Sequence, residues 1–215
     1  MYTQSEVLDF IEEEDVKFIR LAFFDLKGKQ KNISIMPSEL GRAFEHGIPF
    51  DASAIEGFEG PQKSELYLKP DSSTLAIIPW RPATGKVVRM FCNILTPDGK
   101  PYEKDSRTIL QNACQHLKDE CGIEMMVGTE VEFYLFKLDE KGEPTSETFD
   151  KAGYMDIAPE DHGETSAAKS ASLSNRWESL RRPVTTRKAR ARTKLTSIIQ
   201  MHLQPQTMLQ PSNGL

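Results

Sequence analysis

The chain has 215 residues, 38% apolar and 27% charged, with 27 Lys and Arg against 32 Asp and Glu. That length holds one full domain, or a small domain and part of another, with the composition of a globular, soluble chain. No apolar run approaches membrane-spanning length, and the N-terminus lacks the basic and apolar regions of a signal peptide.

The formal charge of −5 averages two unlike stretches. Residues 1–164 carry 18 Lys and Arg against 31 Asp and Glu, whereas 165–215 carry 9 against a single acid, Glu178. Function is therefore sought in 1–164, and the tail needs its own account. Cys92, Cys114 and Cys121 are odd in number and lack metal-site spacing, which predicts reduced thiols in a cytoplasm.

In chain order, Ser5 is expected to cap a helix with Val7, Leu8 and Ile11 on its apolar stripe. Val16–Asp25 and Lys31–Met36, joined by Leu26-Lys27-Gly28-Lys29, read as a β-hairpin. Ser38–Phe44 reads as a helix capped by Ser38, with Gly47 just beyond its end. Phe50–Gly60 is a loop of small residues. Short strands are expected at Glu65–Lys69, Leu75–Ile78 and Lys86–Leu95, punctuated by Pro70, Pro79 and Pro82. Thr96-Pro97-Asp98-Gly99 has turn chemistry and marks a domain boundary. Asp105 or Ser106 then caps a helix whose face is Ile109, Leu110, Ala113, Cys114 and Leu117, closed by Gly122. Val127–Phe136 is the next strand, and Asp139–Gly142 turns the chain toward Tyr154–Glu164. There is no internal repeat.

Two features are able to carry chemistry. In Gly128-Thr129-Glu130-Val131-Glu132-Phe133 the period of a strand puts Glu130 and Glu132 on one face. Adjacent carboxylates repel unless water or a cation screens them, and hard divalent cations use such oxygen ligands. A solvated strand face explains the same pattern. In Phe50-Asp51-Ala52-Ser53-Ala54-Ile55-Glu56-Gly57-Phe58, small residues around one Asp let backbone approach another surface. An Asp capping its own turn explains that equally.

The tail, read directly, is a basic, disordered segment in which Arg181-Arg182 and Arg187–Lys194 suit nucleic acid or acidic surfaces. Trp177 is its sole aromatic residue, so a base-stacking platform is not supported.

Taken together, the segments of 1–164 resemble a known family. Phe50–Phe58 resembles the F-D-G-S-S-I-x-G-F latch loop of bacterial type I glutamine synthetases. Glu65–Asp71 (E-L-Y-L-K-P-D) is similar to that family's D-M-x-L-x-P-D. Thr96–Arg107 is similar to its P-D-G-x-P-F-x-x-D-P-R, Gly128–Phe136 to its G-x-E-x-E-F-F-L-F, and Tyr154–Glu164 to its Y-x-D-x-A-P-x-D-x-G-E. Departures are Ala52 and Ala54 for the usual Gly and second Ser, Ser106 for Pro, and Gly60-Pro61 where Arg-Ile is frequent. That last departure argues against the feedback role linked to the Arg in some members.

The resemblance implies an α+β fold: a β-grasp domain at 1–98, then an incomplete start of the α/β catalytic domain at 99–164. It implies that Glu130 and Glu132 are ligands of two divalent metals, Mg²⁺ or Mn²⁺. Asp51 and Ser53 are implied to sit on a loop completing a neighbouring subunit's site, with Asp51 binding and deprotonating ammonium. ATP, glutamate and ammonium are the implied substrates, and a ring-based dodecamer the implied assembly.

The genetic code offers a second reading of 165–215. Thr165–Ser172 can be encoded so that reading one base earlier gives N-V-R-R-E-I-C-L. Val184–Ser197 likewise gives S-H-H-E-E-G-P-G-Q-N-E-I-D-F. Both strings resemble the stretch that follows in glutamine synthetases. The tail is thus expected to be an out-of-frame translation after a one-base slip near the Glu164 codon, leaving a fragment inactive alone. The rival expectations are a non-enzymatic fragment that binds intact rings, or a basic-tailed nucleic-acid-binding module.

Overall fold

The computed structural model describes residues 2–58, 60, 64–81, 85–125, 127–153, 155–162, 185–186 and 192–199. At 127–133, 185–186 and 192–199 it describes the backbone alone. The chain forms two compact units, Met1–Glu124 and Met125–Leu215.

The first unit opens with helix α1, Gln4–Glu13. Its cap is Thr3, not Ser5: the Thr3 hydroxyl accepts from the Glu6 amide, and the Glu6 carboxylate accepts from the Thr3 amide. This reciprocal pair satisfies two otherwise orphaned donors. Val7 and Ile11 are buried, whereas Leu8 faces solvent. Strands β1 (Val16–Phe24) and β2 (Gln30–Ile35) form the expected antiparallel hairpin. Its turn is held by the buried Asp25, whose carboxylate accepts from the Lys27 and Lys29 amides.

Pro37–Glu39 is a 3-10 turn leading into helix α2, Leu40–His46, so Ser38 caps nothing. Pro37 has no amide hydrogen and a fixed φ, which suits the first position of a turn. Gly47 ends α2 at φ +79°, with Tyr67 Cβ only 3.1 Å from where a side chain would start. The sheet continues through β3 (Ile48–Asp51), β4 (Glu65–Pro70), β5 (Ala76–Ile77) and β6 (Lys86–Leu95). Its order is β2-β1-β6-β4-β3, with β5 also on β6. The β1–β6 pair is parallel and the others antiparallel. Strand β3 was not expected from the sequence, since Pro49 interrupts its apolar run.

The core lies under this curled sheet. Ile19, Leu21 and Phe23 of β1, Leu66 and Leu68 of β4, and Met90, Cys92 and Ile94 of β6 pack with Val7, Ile11, Leu40 and Phe44. Alternate residues of β6 are buried, as a strand with one face on a core requires. Burial also pushes the Cys92 thiol pKa up, so it acts as a small apolar side chain.

Helix α3, Ser106–Cys121, is capped by Asp105 and ends at Gly122 with φ +65°. Its apolar stripe stays half-exposed: Thr108 alone is buried, and Ile109 is 51% exposed. In the second unit the expected 127–136 strand is divided into β7 (Val127–Tyr134) and β8 (Phe136–Leu138). Strand β9, Pro144–Thr148, pairs antiparallel with β8. The turn between them is held by Asp139, which accepts from the Lys141 and Glu143 amides.

In the tail, Thr185–Thr186 (β10) and Arg192–Ile199 (β11) are strands, and β11 pairs antiparallel with β7 along its length. The direct reading expects no regular structure there. Thr193, Thr196, Ile198 and Ile199 are β-branched, and an edge strand offers unpaired backbone groups to any such segment. Trp177, Arg181-Arg182 and residues 187–191 lie outside the described residues.

Candidate functional site

Asp51 ends β3 and caps the 3-10 turn Ala52–Ala54. Its carboxylate accepts from the Ser53 amide at 2.9 Å and the Ser53 hydroxyl at 2.7 Å. With a contribution from the Ser64 hydroxyl, these bonds hold the Asp51 pKa below the ordinary carboxylate value. Asp51 and Ser53 are both exposed. A carboxylate stabilised in this way is a good partner for a cation and a weak base.

The loop that carries them is pinned at several points. Ala52 is fully buried and its amide donates to the Ser64 carbonyl at 2.6 Å. Phe50 lies 5.0 Å from Phe23, and Phe58 lies edge-on to Tyr102 at 5.3 Å, between ring centroids. Lys27 of the β1–β2 turn pairs with Glu56 at 2.6 Å. Gly57 has φ +86°, and a side chain there would begin 2.8 Å from the Leu26 methyl. Sequence reasoning missed this hairpin-to-loop contact because its partners are some 30 positions apart.

A second contact joins two of the segments singled out above. The Arg107 guanidinium donates to Asp71 at 2.6 Å and to Asn93 at 3.0 Å. Asp71 in turn caps the 72–74 turn, accepting from the Ser73 amide and hydroxyl. Each of the two segments, 65–71 and 96–107, ends on a member of this pair, which was the available signal. Asp105 is 1% exposed and accepts from the Ile94 amide as well as from Thr108. Bonds thus run across the boundary expected at residue 98.

Glu130 and Glu132 lie two apart on β7, in the other compact unit from Asp51 and Ser53. The β11 residues paired with them are Thr196 and Lys194. Among the described residues, no group of three or more His, Cys, Asp or Glu is placed to hold a metal ion.

Two family models match the chain: glutamine synthetase, beta-Grasp domain, over residues 15–97, and glutamine synthetase, catalytic domain, over 103–193. The chain belongs to the glutamine synthetase family. Glutamine synthetase of Clostridium saccharobutylicum is 44% identical over 163 residues, which are 76% of this chain and 37% of that protein. Glutamine synthetase of Staphylococcus epidermidis is 42% identical over 163 residues, 76% of this chain and 36% of that one. The chain therefore spans little more than a third of these relatives' length. Plasmodium falciparum glutamine synthetase shares the fold at 19% identity and TM-score 0.75, with 93% of this chain and 45% of that one covered. The structure titled GmaS without ligand does so at 18% identity and TM-score 0.75, covering 90% and 45%. The β-grasp sheet and the α+β class are thus established. No helix among the described residues is long and apolar enough to cross a membrane.

Proposed function

We propose that residues 1–164 are the N-terminal part of a cytoplasmic, type I bacterial glutamine synthetase that ligates ammonia to glutamate with ATP. The intact protein works as a ring-based homo-oligomer, and the Phe50–Phe58 loop completes a neighbouring subunit's site. The 163-residue match to bacterial glutamine synthetases, 76% of this chain, carries this reading. At this loop Asp51 serves as an anionic seat for ammonium. Its hydrogen bonds from Ser53 stabilise the charged form, which favours binding the cation over taking its proton. The β-grasp domain is 1–98 and the start of the catalytic domain 99–164.

The family's chemistry calls for Mg²⁺ or Mn²⁺, which offset charge where a phosphoryl group meets a carboxylate. The donor set of this chain does not fit. Mg²⁺ demands near-octahedral oxygen coordination, and here only two carboxylate residues, Glu130 and Glu132, stand on the strand, in register with Thr196 and Lys194. No catalytic step is derived through the metal. Residues 1–215 as they stand are catalytically inert, and the tail is an out-of-frame translation beginning near Glu164. The change from 31 acids in 1–164 to one in 165–215 supports a break at that point.

The test is to resequence through the Glu164 codon, restore one base, and assay both proteins for ATP-dependent γ-glutamyl transfer to ammonia or hydroxylamine. The restored protein turns over and the 215-residue chain does not. An uninterrupted native frame, or turnover by the 215-residue chain, refutes the reading.

The half-exposed apolar stripe of α3 favours a second role, a non-enzymatic fragment that binds intact synthetase rings. Co-purification with full-length synthetase tests it. The rival nucleic-acid-binding tail predicts a salt-dependent shift of random-sequence DNA that is lost on deleting 165–215.

A further inference from the structure

The turn between β1 and β2 is fixed from inside. The buried Asp25 carboxylate accepts from the Lys27 and Lys29 amides at 3.0 and 2.9 Å and faces the Lys31 ammonium at 3.4 Å. The Asp25 carbonyl accepts from the Gly28 amide, and the Asp25 amide donates to the Lys29 carbonyl. A turn tied in this way presents Leu26 and Lys27 in a fixed orientation. Both meet the Phe50–Phe58 loop. Leu26 is 47% exposed, yet its methyl lies against Gly57, 2.8 Å from where a side chain would begin. Lys27 reaches Glu56 at 2.6 Å. Only a glycine lets a side chain approach the loop backbone so closely.

The loop carries this contact back to Asp51. Two tight turns share Ile55: its amide donates to the Ala52 carbonyl at 3.0 Å, and its carbonyl accepts from the Phe58 amide at 3.1 Å. Ala52 and Phe58 are buried and Ile55 packs on the core, whereas Ser53, Ala54, Glu56 and Gly57 are exposed. The hairpin tip braces this exposed arch at 56–57. The first of the two turns holds Ser53, whose amide and hydroxyl donate to the Asp51 carboxylate. Movement at 56–57 therefore passes through Ile55 to those two bonds.

We infer that Leu26 and Lys27 are positioning residues for Asp51: the hairpin tip holds the 52–58 arch closed and so keeps Ser53 on the Asp51 carboxylate. The inference rests on the reading in which this loop completes a neighbouring subunit's site. It makes Gly57 the seat of Leu26, and it makes a hairpin some 25 positions upstream a determinant of how Asp51 meets a cation. The apolar contact is the larger half, because an ion pair as exposed as Lys27–Glu56 contributes little.

The test uses the 215-residue chain, with amide hydrogen exchange at 53–58 and a carboxyl NMR titration of Asp51 as readouts. Leu26→Ala speeds exchange in the arch several-fold. It also moves the Asp51 midpoint up toward the ordinary carboxylate value, since the bonds that favour the charged form loosen. Leu26→Met, which keeps an apolar chain over Gly57, restores both. Lys27→Glu opens the arch by repulsion from Glu56, and Glu56→Lys in that background closes it again. Glu65, paired with Asp51 across β3 and β4, and the Ser64 hydroxyl are the same in every variant, so neither biases the comparison. An unmoved Asp51 midpoint in Leu26→Ala overturns the inference, as does a charge swap that fails to recover. Exchange that speeds equally at the β6 amides also overturns it, because the change is then a general loss of stability. Neither readout depends on synthetase activity. Failure of the family reading shows instead as an inert restored-frame protein.

Discussion

Asp105→Ala tests whether the start of α3 and strand β6 form one structural unit. The Asp105 carboxylate takes four bonds: Arg107 N at 3.2 Å, Thr108 N at 3.2 Å, Thr108 Oγ at 2.7 Å and Ile94 N at 3.2 Å. Losing an N-cap costs about 1–2 kcal/mol. Leaving a buried amide such as that of Ile94 without an acceptor costs about 1–3 kcal/mol more. The total is about 2–5 kcal/mol, a large part of the ~5–15 kcal/mol that keeps a domain folded. Urea unfolding followed by circular dichroism at the helix band reads this out. With a slope of about 2 kcal/mol per molar, the midpoint falls by about 1–2.5 M. Asp105→Asn is the control. One oxygen placed where Oδ2 stands keeps the Ile94 and Thr108 bonds and loses only the Arg107 amide, so Asn costs about 1 kcal/mol. A loss under 1 kcal/mol for Ala, or equal losses for Ala and Asn, would mean that the carboxylate does not link helix to strand.

Three further outcomes follow from the same geometry. Gly57→Ala forces an L-residue to φ +86°, a strain of about 1–2 kcal/mol; hydrogen exchange at 51–58 accelerates while the β6 amides stay protected, and uniform exchange across both would contradict this. The Lys100 ammonium, with Thr96, draws the Asp98 pKa down to about 2. A group whose pKa is lowered on folding stabilises the protein above its unfolded value, and that contribution fades as pH falls from about 4 to about 2. Lys100→Met lifts the midpoint toward the ordinary value in a carboxyl NMR titration, and an unmoved midpoint rejects the pair as its cause. A chain ending at 98 lacks Tyr102, Asp105 and Arg107, partners of Phe58, Ile94 and Asp71. It therefore unfolds at a lower temperature than a chain ending at 124, and equal melting temperatures would refute the role of these bonds.

The first unit was largely legible because its local signals agree with its packing. Lys86–Leu95 is a run rich in β-branched and other apolar residues bounded by turn signals, and its even-numbered positions from Val88 to Ile94 are the buried ones. Asp105 reads as a cap and is one. The misreadings share a cause: two residues compete for one boundary and the sequence does not say which hydrogen bond closes. Thr3 won over Ser5 because Glu6 stands three positions after it, completing a reciprocal cap. Ser38 lost because Pro37 starts a tighter turn first. Strand β3 was hidden because Pro49 breaks the apolar pattern. Pro is tolerated there because β3 ends the sheet order and pairs only with β4. Of the candidate site, the Asp51–Ser53 bond is local and readable, whereas the Lys27–Glu56 and Arg107–Asp71 pairs depend on the fold.

The tail separates what a fold asks of its sequence from what chemistry asks. The one-base slip proposed above would replace residue identities and leave the number of residues between two codons unchanged. A segment entering as β11 therefore stays at the same chain distance from β7. Pairing with an open edge is made by backbone groups, which every non-proline residue supplies, and asks only for tolerance of an extended chain. Thr193, Thr196, Ile198 and Ile199 meet that condition in the written frame. The side-chain requirements of a site are of another kind. Position 194, paired in register with Glu132, carries Lys, and the ladder there is closed by backbone groups alone. Strand pairing is thus poor evidence for retained activity in this family.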